Sequence, residues 1–328
     1  MLRSKKVRIA AGLGISLVML AGAFYKTRFS EFWNALREIN LTALVLCLAF
    51  FGLSCVFRAF LWRVTTSPIK RVPLSTLFGG VMIGYMANNF LPLRAGELIR
   101  SCYLSARTGI AYASAFSTVC IERALDVFSL GLLLAAGLGW GLRGLAPRAS
   151  SEALAVLAIV LVAGALTFSG FLRLNKSPKK YSGILGHFRE RVVEFIEPVV
   201  NLRRPRTVLV LIGLSLLAWA SNYFSVAFLI RDVGQDHLEA AMLLLLFINL
   251  GLLIPSSPGA IGVMQFVFWM ALAPFKISRE QALALSLAYQ GTLYLFTSFT
   301  GLTFYLLGHL NGKRAVEEPG LMRAKLKV

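Results

Sequence analysis

The chain has 328 residues, of which 57% are hydrophobic and 15% are charged, and its mean hydropathy is +0.71. These proportions exclude a soluble globular protein and indicate an integral membrane protein. Lysine and arginine outnumber aspartate and glutamate by 34 to 15, but they lie mainly between apolar stretches and at the chain ends, which is typical of loops facing anionic lipid rather than of a nucleic-acid-binding surface.

The apolar stretches predict an all-α fold, a polytopic helical bundle embedded in a membrane. The first apolar run ends without a small-residue cleavage site, which favours a retained helix over a signal peptide. The stretches 74–92, 109–125 and 258–274 are short or interrupted by polar residues, so some of them are not expected to cross completely. Full membrane spans are expected at 8–25, 41–62, 126–146, 153–172, 207–230, 238–254 and 281–309.

Basic residues predict the orientation of the chain. They precede the first apolar run, follow the second, fill residues 174–206 and return in the C-terminal tail. Because loops rich in lysine and arginine stay in the cytoplasm, we expect both termini there and the loops near 26–40, 147–152 and 231–239 outside. Residues 187–204 have an apolar face at helical spacing, which fits either an amphipathic helix on the inner leaflet or a solvated intracellular helix.

Two polar interruptions share a pattern. "NNFLPLRAGEL" (88–98) and "NLGLLIPSSPGAIGVMQF" (249–266) each contain an apolar residue and a proline, followed four positions later by glycine. Proline removes a backbone donor and glycine permits backbone angles that other residues resist, so both stretches are predicted to break their helices. The predicted break residues are Pro92, Gly96, Pro255, Pro258, Gly259 and Gly262.

Interrupted apolar segments at matching positions indicate a transporter with an internal repeat, whose broken or re-entrant segments line the site. We therefore predict one transmembrane domain over residues 1–328, with inverted repeat halves at roughly 41–146 and 207–309. The alternative is a pair of ordinary loops at helix ends. Unpaired backbone groups in a broken helix need polar partners. Five side chains can supply them, namely Asn88, Asn89, Asn249, Ser256 and Ser257.

Charged residues fall inside the predicted membrane segments. One set has helical spacing and the other opens an apolar run: Arg94, Glu97 and Arg100 in the first, Glu122, Arg123 and Asp126 in the second. A charge at bilayer depth costs at least about 2.5 kcal/mol, so such residues normally pair inside the bundle and mark a site. They either neutralise one another and hold helices together, or leave one arginine to bind a phosphate.

Arg58 and Arg63 lie near the end of the second apolar run. Their long side chains are expected to snorkel toward the cytoplasmic interface and not to take part in a site.

Three motifs in the order "NNFLPLRAGELIR", "ERALD" and "PSSPGAIGVMQ" resemble the lysylphosphatidylglycerol synthase transmembrane-region family, also called flippase-like. This family includes the membrane half of the bacterial multiple peptide resistance factor. The resemblance covers most of the chain and implies a flippase that moves an anionic phospholipid or a polyprenyl-phosphate-linked lipid between the leaflets of a bacterial inner (cytoplasmic) membrane. Because only a short basic tail follows the last apolar run, lipid aminoacylation is not expected.

The sequence departs from the family pattern at two positions. The family often has an acidic residue after the second Pro-Gly motif, where this chain has Gln265, and an arginine in the last helix, where it has Gln290. An amide pair that replaces an ion pair would account for both changes. The candidate lipid-binding residues are Asn88, Asn89, Arg94, Glu97, Arg100, Glu122, Arg123, Asp126, Asn249, Ser256, Ser257, Gln265 and Gln290.

Two other function classes are alternatives to lipid transport. An enzyme acting on lipid phosphates is disfavoured because no metal-ligating, nucleophile or phosphate-loop motif occurs, so we expect neither a metal nor a cofactor. A non-catalytic scaffold would recruit a lipid- or glycan-modifying enzyme through residues 187–204. The expected partner of a transporter is a membrane lipid with an anionic headgroup.

Overall fold

The computed structural model describes residues 14–91, 95–140, 204–233, 237–252, 254 and 256–317, with the backbone alone at 133–140, 237 and 309–317. In this part of the chain the fold is all-α, as predicted. The helices are α1 (Gly14–Phe24), α2 (Phe29–Arg37), α3 (Leu41–Thr66), α4 (Leu74–Phe90), α5 (Gly96–Thr108), α6 (Tyr112–Trp140), α7 (Pro205–Ile230), α8 (His237–Gly251), α9 (Val263–Leu272) and α10 (Arg279–Glu317).

Hydrogen bonds between loops define two ends of the bundle, named upper and lower. At the upper end, Asn40 Nδ2 donates to Asp232 Oδ2 at 3.1 Å, and Arg279 donates to the carbonyl of Tyr25. At the lower end, Lys70 Nζ donates to the carbonyl of Thr108. The helix α3 therefore runs from the upper end to the lower end.

The helices α4 and α5 form a hairpin that begins and ends at the lower end. Lys70 precedes α4, and Thr108 is the last residue of α5, so their contact closes the hairpin. With 17 and 13 residues, the two helices are about 25 and 20 Å long, which is less than the roughly 30 Å of a hydrocarbon core. The hairpin reverses direction between Phe90 and Gly96, within the first predicted break.

The helices α8 and α9 form a second hairpin, which begins and ends at the upper end. It follows the loop of Asp232 and returns to the loop of Arg279, and both loops lie at the upper end. The chain reverses between Gly251 and Val263, where residues Pro258–Ala260 form a short 3₁₀ helix. This 3₁₀ helix contacts α4, so the turn of the second hairpin meets the first hairpin inside the bundle.

The two halves have the same order of elements in opposite directions. In the first half α3 runs downward, the hairpin starts from the lower end, and α6 starts upward from the lower end, as its contacts with α3 show. In the second half α7 runs upward, the hairpin starts from the upper end, and α10 runs downward. An inverted repeat requires this order, although the repeat itself stays a prediction.

Three helical stretches of the described chain are long and apolar enough to cross a membrane: Leu41–Thr66, Pro205–Ile230 and Pro258–Phe275. Two predictions about the segments are wrong. The full span expected at 238–254 is the 15-residue helix α8, which is too short to cross, and the separate segments expected at 109–125 and 126–146 form the continuous helix α6. Its internal charges do not interrupt it, since they pair with arginines of α3 and α5. The predicted span 153–172 and the basic segment up to residue 203 lie outside the described residues.

Apolar packing is divided between the two hairpins. One cluster surrounds the first hairpin and contains Trp62, Leu77 and Leu104. A larger cluster surrounds the second hairpin and contains Phe268 and Leu272. Each hairpin is therefore held by packed side chains of neighbouring helices, and the free backbone groups of its turn need polar partners.

Candidate functional site

Charged side chains of α3, α5 and α6 converge on the carboxylates of Glu122 and Asp126. Arg58 Nη1 lies 3.2 Å from Glu122 Oε1 and 3.0 Å from Asp126 Oδ1. The two carboxylates are four positions apart on α6 and therefore face the same neighbour. Arg58 is 5% exposed, so the prediction that it snorkels to the interface is wrong. Arg63, one turn further along α3, is exposed as expected.

Arg100 of α5 pairs with the same glutamate. Its two terminal nitrogens each donate to one oxygen of Glu122, at 3.3 Å for Nη1 and 2.5 Å for Nη2. The guanidinium carbon also lies 4.2 Å from the ring centroid of Trp62. The helical spacing predicts that Arg100 pairs with Glu97 on its own helix. In the structure, both terminal nitrogens of Arg100 bind the buried carboxylate of Glu122 instead.

Arg123 links the buried charges to the accessible edge of the cluster. Its Nη2 lies 2.8 Å from Glu122 Oε1 and 3.0 Å from Asp126 Oδ2. Its Nε faces Glu97 Oε1 at the longer distance of 3.6 Å. The side chains of Arg123 and Glu97 are 38% and 28% exposed, whereas Glu122 is completely buried. The cluster therefore has a closed interior and one open pair.

Among the residues that the structure describes, three guanidinium groups and three carboxylates balance within this cluster. Balance matters because isolated charges at this depth are costly, and buried pairs offset that cost only when their geometry is good. The surplus arginine of the sequence is Arg94, which lies outside the described residues together with Pro92 and Pro255. Its predicted contact with a phosphate stays a prediction.

Guanidinium donors remain available in the cluster. The Nε atoms of Arg58, Arg100 and Arg123 are buried and have no hydrogen-bond partner among the described residues. A buried N–H without a partner costs stability unless a ligand or water accepts from it. Arg123 combines such a donor with a partly exposed side chain, so it can offer an N–H to an anion that approaches from the open edge.

The first break is stabilised by two asparagines that the sequence analysis selected. Asn88 Oδ1 accepts a hydrogen bond from the backbone N–H of Gly96 at 2.8 Å and so caps the start of α5. Asn89 Nδ2 donates to Thr297 Oγ1 and Ser298 Oγ, both at 3.0 Å, on α10. The backbone N–H of Gly96 is therefore satisfied by a side chain from the end of α4.

The second break is held by the two glutamines. Gln265 Nε2 donates to Gln290 Oε1 at 2.8 Å, as the amide-pair interpretation requires. Gln265 Oε1 accepts from the backbone N–H of Gly262, and Gln290 Nε2 donates to the carbonyl of Gly259, each at 2.7 Å. Gly259 and Gly262 have φ angles of +70° and +89°, which favour glycine. Pro258 begins the 3₁₀ helix, where its missing N–H costs nothing.

The three other side chains predicted to bind free backbone groups at the breaks make different contacts. Ser257 donates from its backbone N–H to Ser16 Oγ of α1 and from its hydroxyl to the carbonyl of Ile261, so it spans the second break. Asn249 donates to the carbonyl of Leu245 within its own helix and does not reach the break. Ser256 is half-buried, and its side chain has no hydrogen bond to the described residues.

The helix α10 connects both breaks, which the sequence analysis missed. Gln290 and Tyr294 bond to the carbonyl of Gly259, while Thr297 and Ser298 accept from Asn89 one turn further along. A polar stripe at helical spacing in "YQGTLYLFTS" was the available signal. No comparable signal pointed to Trp219, whose Nε1 donates to Asp126 at 2.9 Å.

Comparison with known proteins agrees with this architecture. The family described as "Lysylphosphatidylglycerol synthase TM region" matches residues 9–301, which is most of the chain. The chain belongs to this family. It is an integral membrane protein, and the resemblance inferred from its three motifs is confirmed.

One curated protein with a similar sequence is "Glycosyltransferase AglD" from Haloferax volcanii. It is 22% identical over an alignment of 360 positions that covers 98% of this chain. The chain spans only 57% of that relative's length. The similarity therefore includes the whole family region of this chain but not the whole of the relative.

The Gln265 and Gln290 pair permits a charge-replacement test of the family pattern. Gln265→Glu or Gln290→Arg alone places one buried charge beside a neutral amide and should reduce stability by about 2.5–3.5 kcal/mol. The double substitution restores an ion pair and should recover at least about 1 kcal/mol relative to the sum of the single effects. Thermal unfolding in detergent would measure this coupling. A double variant whose loss equals that sum would mean that the two side chains do not interact.

Proposed function

We propose that this protein is a lipid flippase, which moves an anionic phospholipid or a polyprenyl-phosphate-linked lipid between membrane leaflets. The observation that carries the proposal is the partly exposed side chain of Arg123 at the open edge of an otherwise buried charge cluster. A guanidinium fork matches the geometry of a phosphate, and a partly desolvated site strengthens that interaction. The protein is proposed to be a transporter and not an enzyme.

The opposed hairpins support the transport step. One starts from the lower end and the other from the upper end, and the 3₁₀ helix of the second contacts α4 of the first. Short helices that meet inside a bundle leave the site within reach of both membrane faces. A relative movement of the two hairpins would open the site to one face and close it to the other.

The basic segment before α7 supports an orientation. The described stretches of the lower end (63–73, 105–111 and 204–206) and of the upper end (25–40, 231–233 and 276–280) contain six basic residues each, so they do not differ in the residues that the positive-inside rule counts. Residues 173–206, however, contain nine basic residues and lead into α7, which starts at the lower end. We therefore propose that the lower end faces the cytoplasm of a bacterial inner membrane. Both chain termini are proposed to lie on the same side.

Removing the guanidinium of Arg123 tests the proposal. Arg123→Ala should reduce translocation of fluorescent phosphatidylglycerol in proteoliposomes by about tenfold to a hundredfold, since a charge-assisted hydrogen bond contributes about 1.5–3 kcal/mol. Arg94→Ala at the predicted site should act in the same direction. Arg63→Ala removes an exposed arginine of the lower end and serves as the control. Normal translocation by a folded Arg123→Ala protein would contradict the proposal.

A scaffold is the second candidate function, and the name of the glycosyltransferase relative favours it. In that case the family region would anchor or position a lipid- or glycan-modifying enzyme through the basic residues of 187–204. Neutralising those basic residues would then abolish function in cells, while Arg123→Ala would leave it intact. The opposite pattern is expected of a flippase.

A further inference from the structure

Arg123 stands between two kinds of carboxylate contact. On its buried side, Nη2 makes contacts of 2.8 Å and 3.0 Å with Glu122 and Asp126. On its open side, Nε faces Glu97 at 3.6 Å, which is beyond hydrogen-bond length but close enough for strong attraction between charges. The buried contacts hold the guanidinium in place, whereas the open contact leaves a donor unused.

The unused donor is a specific atom. Arg123 Nε is buried at the atomic level and has no hydrogen-bond partner among the described residues, although Glu97 Oε1 lies 3.6 Å from it. A phosphate oxygen that replaced the Glu97 carboxylate and came closer to Nε than its 3.6 Å could accept that N–H at normal length. Glu97 therefore neutralises Arg123 without making the hydrogen bond that a ligand would make.

We propose that Glu97 is an exchangeable counter-ion, which an anionic lipid headgroup replaces at Arg123 during each transport cycle. This inference rests on the proposed function, because it assigns a role to Glu97 in the same site. The exchange keeps the cluster close to neutral, since one anion leaves as another arrives. A headgroup without negative charge would leave Arg123 unbalanced and is therefore disfavoured.

Glu97 is well placed to leave and return. It lies in the first turn of α5, where the partial positive charge of the helix N-terminus stabilises a carboxylate that has lost its partner. Its side chain is 28% exposed, so the protein does not enclose it. Glu122 lacks both properties, because it lies inside α6 and is fully buried. Glu97 is thus the carboxylate that competes with the headgroup for Arg123, and Glu122 is the carboxylate that holds the arginines in place.

The variant Glu97→Gln removes the competing charge and keeps the size of the side chain. Purified protein in phosphatidylcholine nanodiscs should bind added fluorescent phosphatidylglycerol about tenfold more tightly than the unaltered protein, which corresponds to about 1.4 kcal/mol. Binding of fluorescent phosphatidylcholine should not change. Transport of phosphatidylglycerol at saturating lipid should become slower, because nothing then displaces the headgroup from Arg123.

Two variants serve as controls. Glu97→Asp keeps the charge and should bind phosphatidylglycerol within about threefold of the unaltered protein, a difference of less than 1 kcal/mol. Glu31→Gln removes a carboxylate that pairs with an arginine, Arg28, at the upper end of the bundle. That pair is distant in sequence from the cluster and exposed, so binding should be unchanged.

The outcomes separate this inference from the proposed function. Unchanged or weaker phosphatidylglycerol binding by folded Glu97→Gln protein would overturn the exchange, as would an equal gain for phosphatidylcholine. Tighter binding of phosphatidylglycerol alone supports it. If binding tightens in this way but the unaltered protein moves no lipid in proteoliposomes, the anion site stands and the flippase function fails.

Discussion

Glu122→Gln should destabilise the folded protein by roughly 3–5 kcal/mol, the range expected when one partner of a buried ion pair is lost. The carboxylate is fully buried and accepts contacts from three arginines on three helices, Arg58, Arg100 and Arg123. Glutamine keeps the size of the side chain but removes the negative charge, and only one of its terminal atoms can accept. Asp126 and Glu97 would then face three buried or half-buried guanidinium groups.

Thermal or denaturant unfolding in detergent would measure this loss, with Glu97→Gln as the matched control. Glu97 is partly exposed and, among the described residues, has one charge contact at 3.6 Å, so its neutralisation should cost less than about 1 kcal/mol, as is usual for exposed pairs. Comparable losses for the two variants would show that the burial of Glu122 does not anchor the cluster. The two substitutions also have opposite functional consequences, because Glu97→Gln is expected to tighten anion binding in a folded protein.

Gly96→Ala should disrupt the first hairpin. A Cβ atom at Gly96 would lie 2.0 Å from the backbone oxygen of Gly84 and 2.6 Å from Oδ1 of Asn88. The first of these neighbours is backbone, so it cannot rotate away, and α4 and α5 would have to separate. Overpacking of this kind typically costs about 1–3 kcal/mol, and loss of the Asn88 cap would add about 1 kcal/mol.

Gly213→Ala is the appropriate comparison for this prediction. Gly213 also lies in a membrane helix, α7, but a Cβ atom there would meet no neighbour within 4 Å. It should therefore retain normal thermal stability and normal lipid translocation, whereas Gly96→Ala should lose both. Because Gly96 lies four residues before Arg100, separation of α4 and α5 would also displace the fork that binds Glu122. Equal stability of the two alanine variants would argue against the close approach of α4 and α5.

The two helix breaks were predictable because proline and glycine act locally. The stretches 88–98 and 249–266 carry their own chemical reasons to interrupt a helix, and the described backbone reverses in both. The capping role of Asn88 was equally accessible, since it depends on a residue only eight positions away. What these stretches could not reveal was the direction of each hairpin. That follows from contacts such as Lys70 with Thr108, which join the two ends of the first hairpin.

In the charge cluster, by contrast, the pairing of the side chains depends on the tertiary structure. Spacing along the helices correctly predicted which charges need partners, namely Glu97, Arg100, Glu122, Arg123 and Asp126. It wrongly paired Arg100 with Glu97 on its own helix, and Arg58 was wrongly predicted to reach the membrane interface. In the structure Arg58 and Arg100 both reach Glu122, across 64 and 22 positions of sequence.

Composition and local chemistry thus specify a helical membrane protein, its family, its broken segments and the polar residues beside them, because those properties depend on single residues and their near neighbours. The packing of α3, α5 and α6 settles which carboxylate holds which arginine, since a buried charge pairs with whatever opposite charge the fold brings within reach. The same packing leaves Arg123 and Glu97 as the open pair. Their distance and exposure depend on how the helices meet, and no spacing along one chain contains that information.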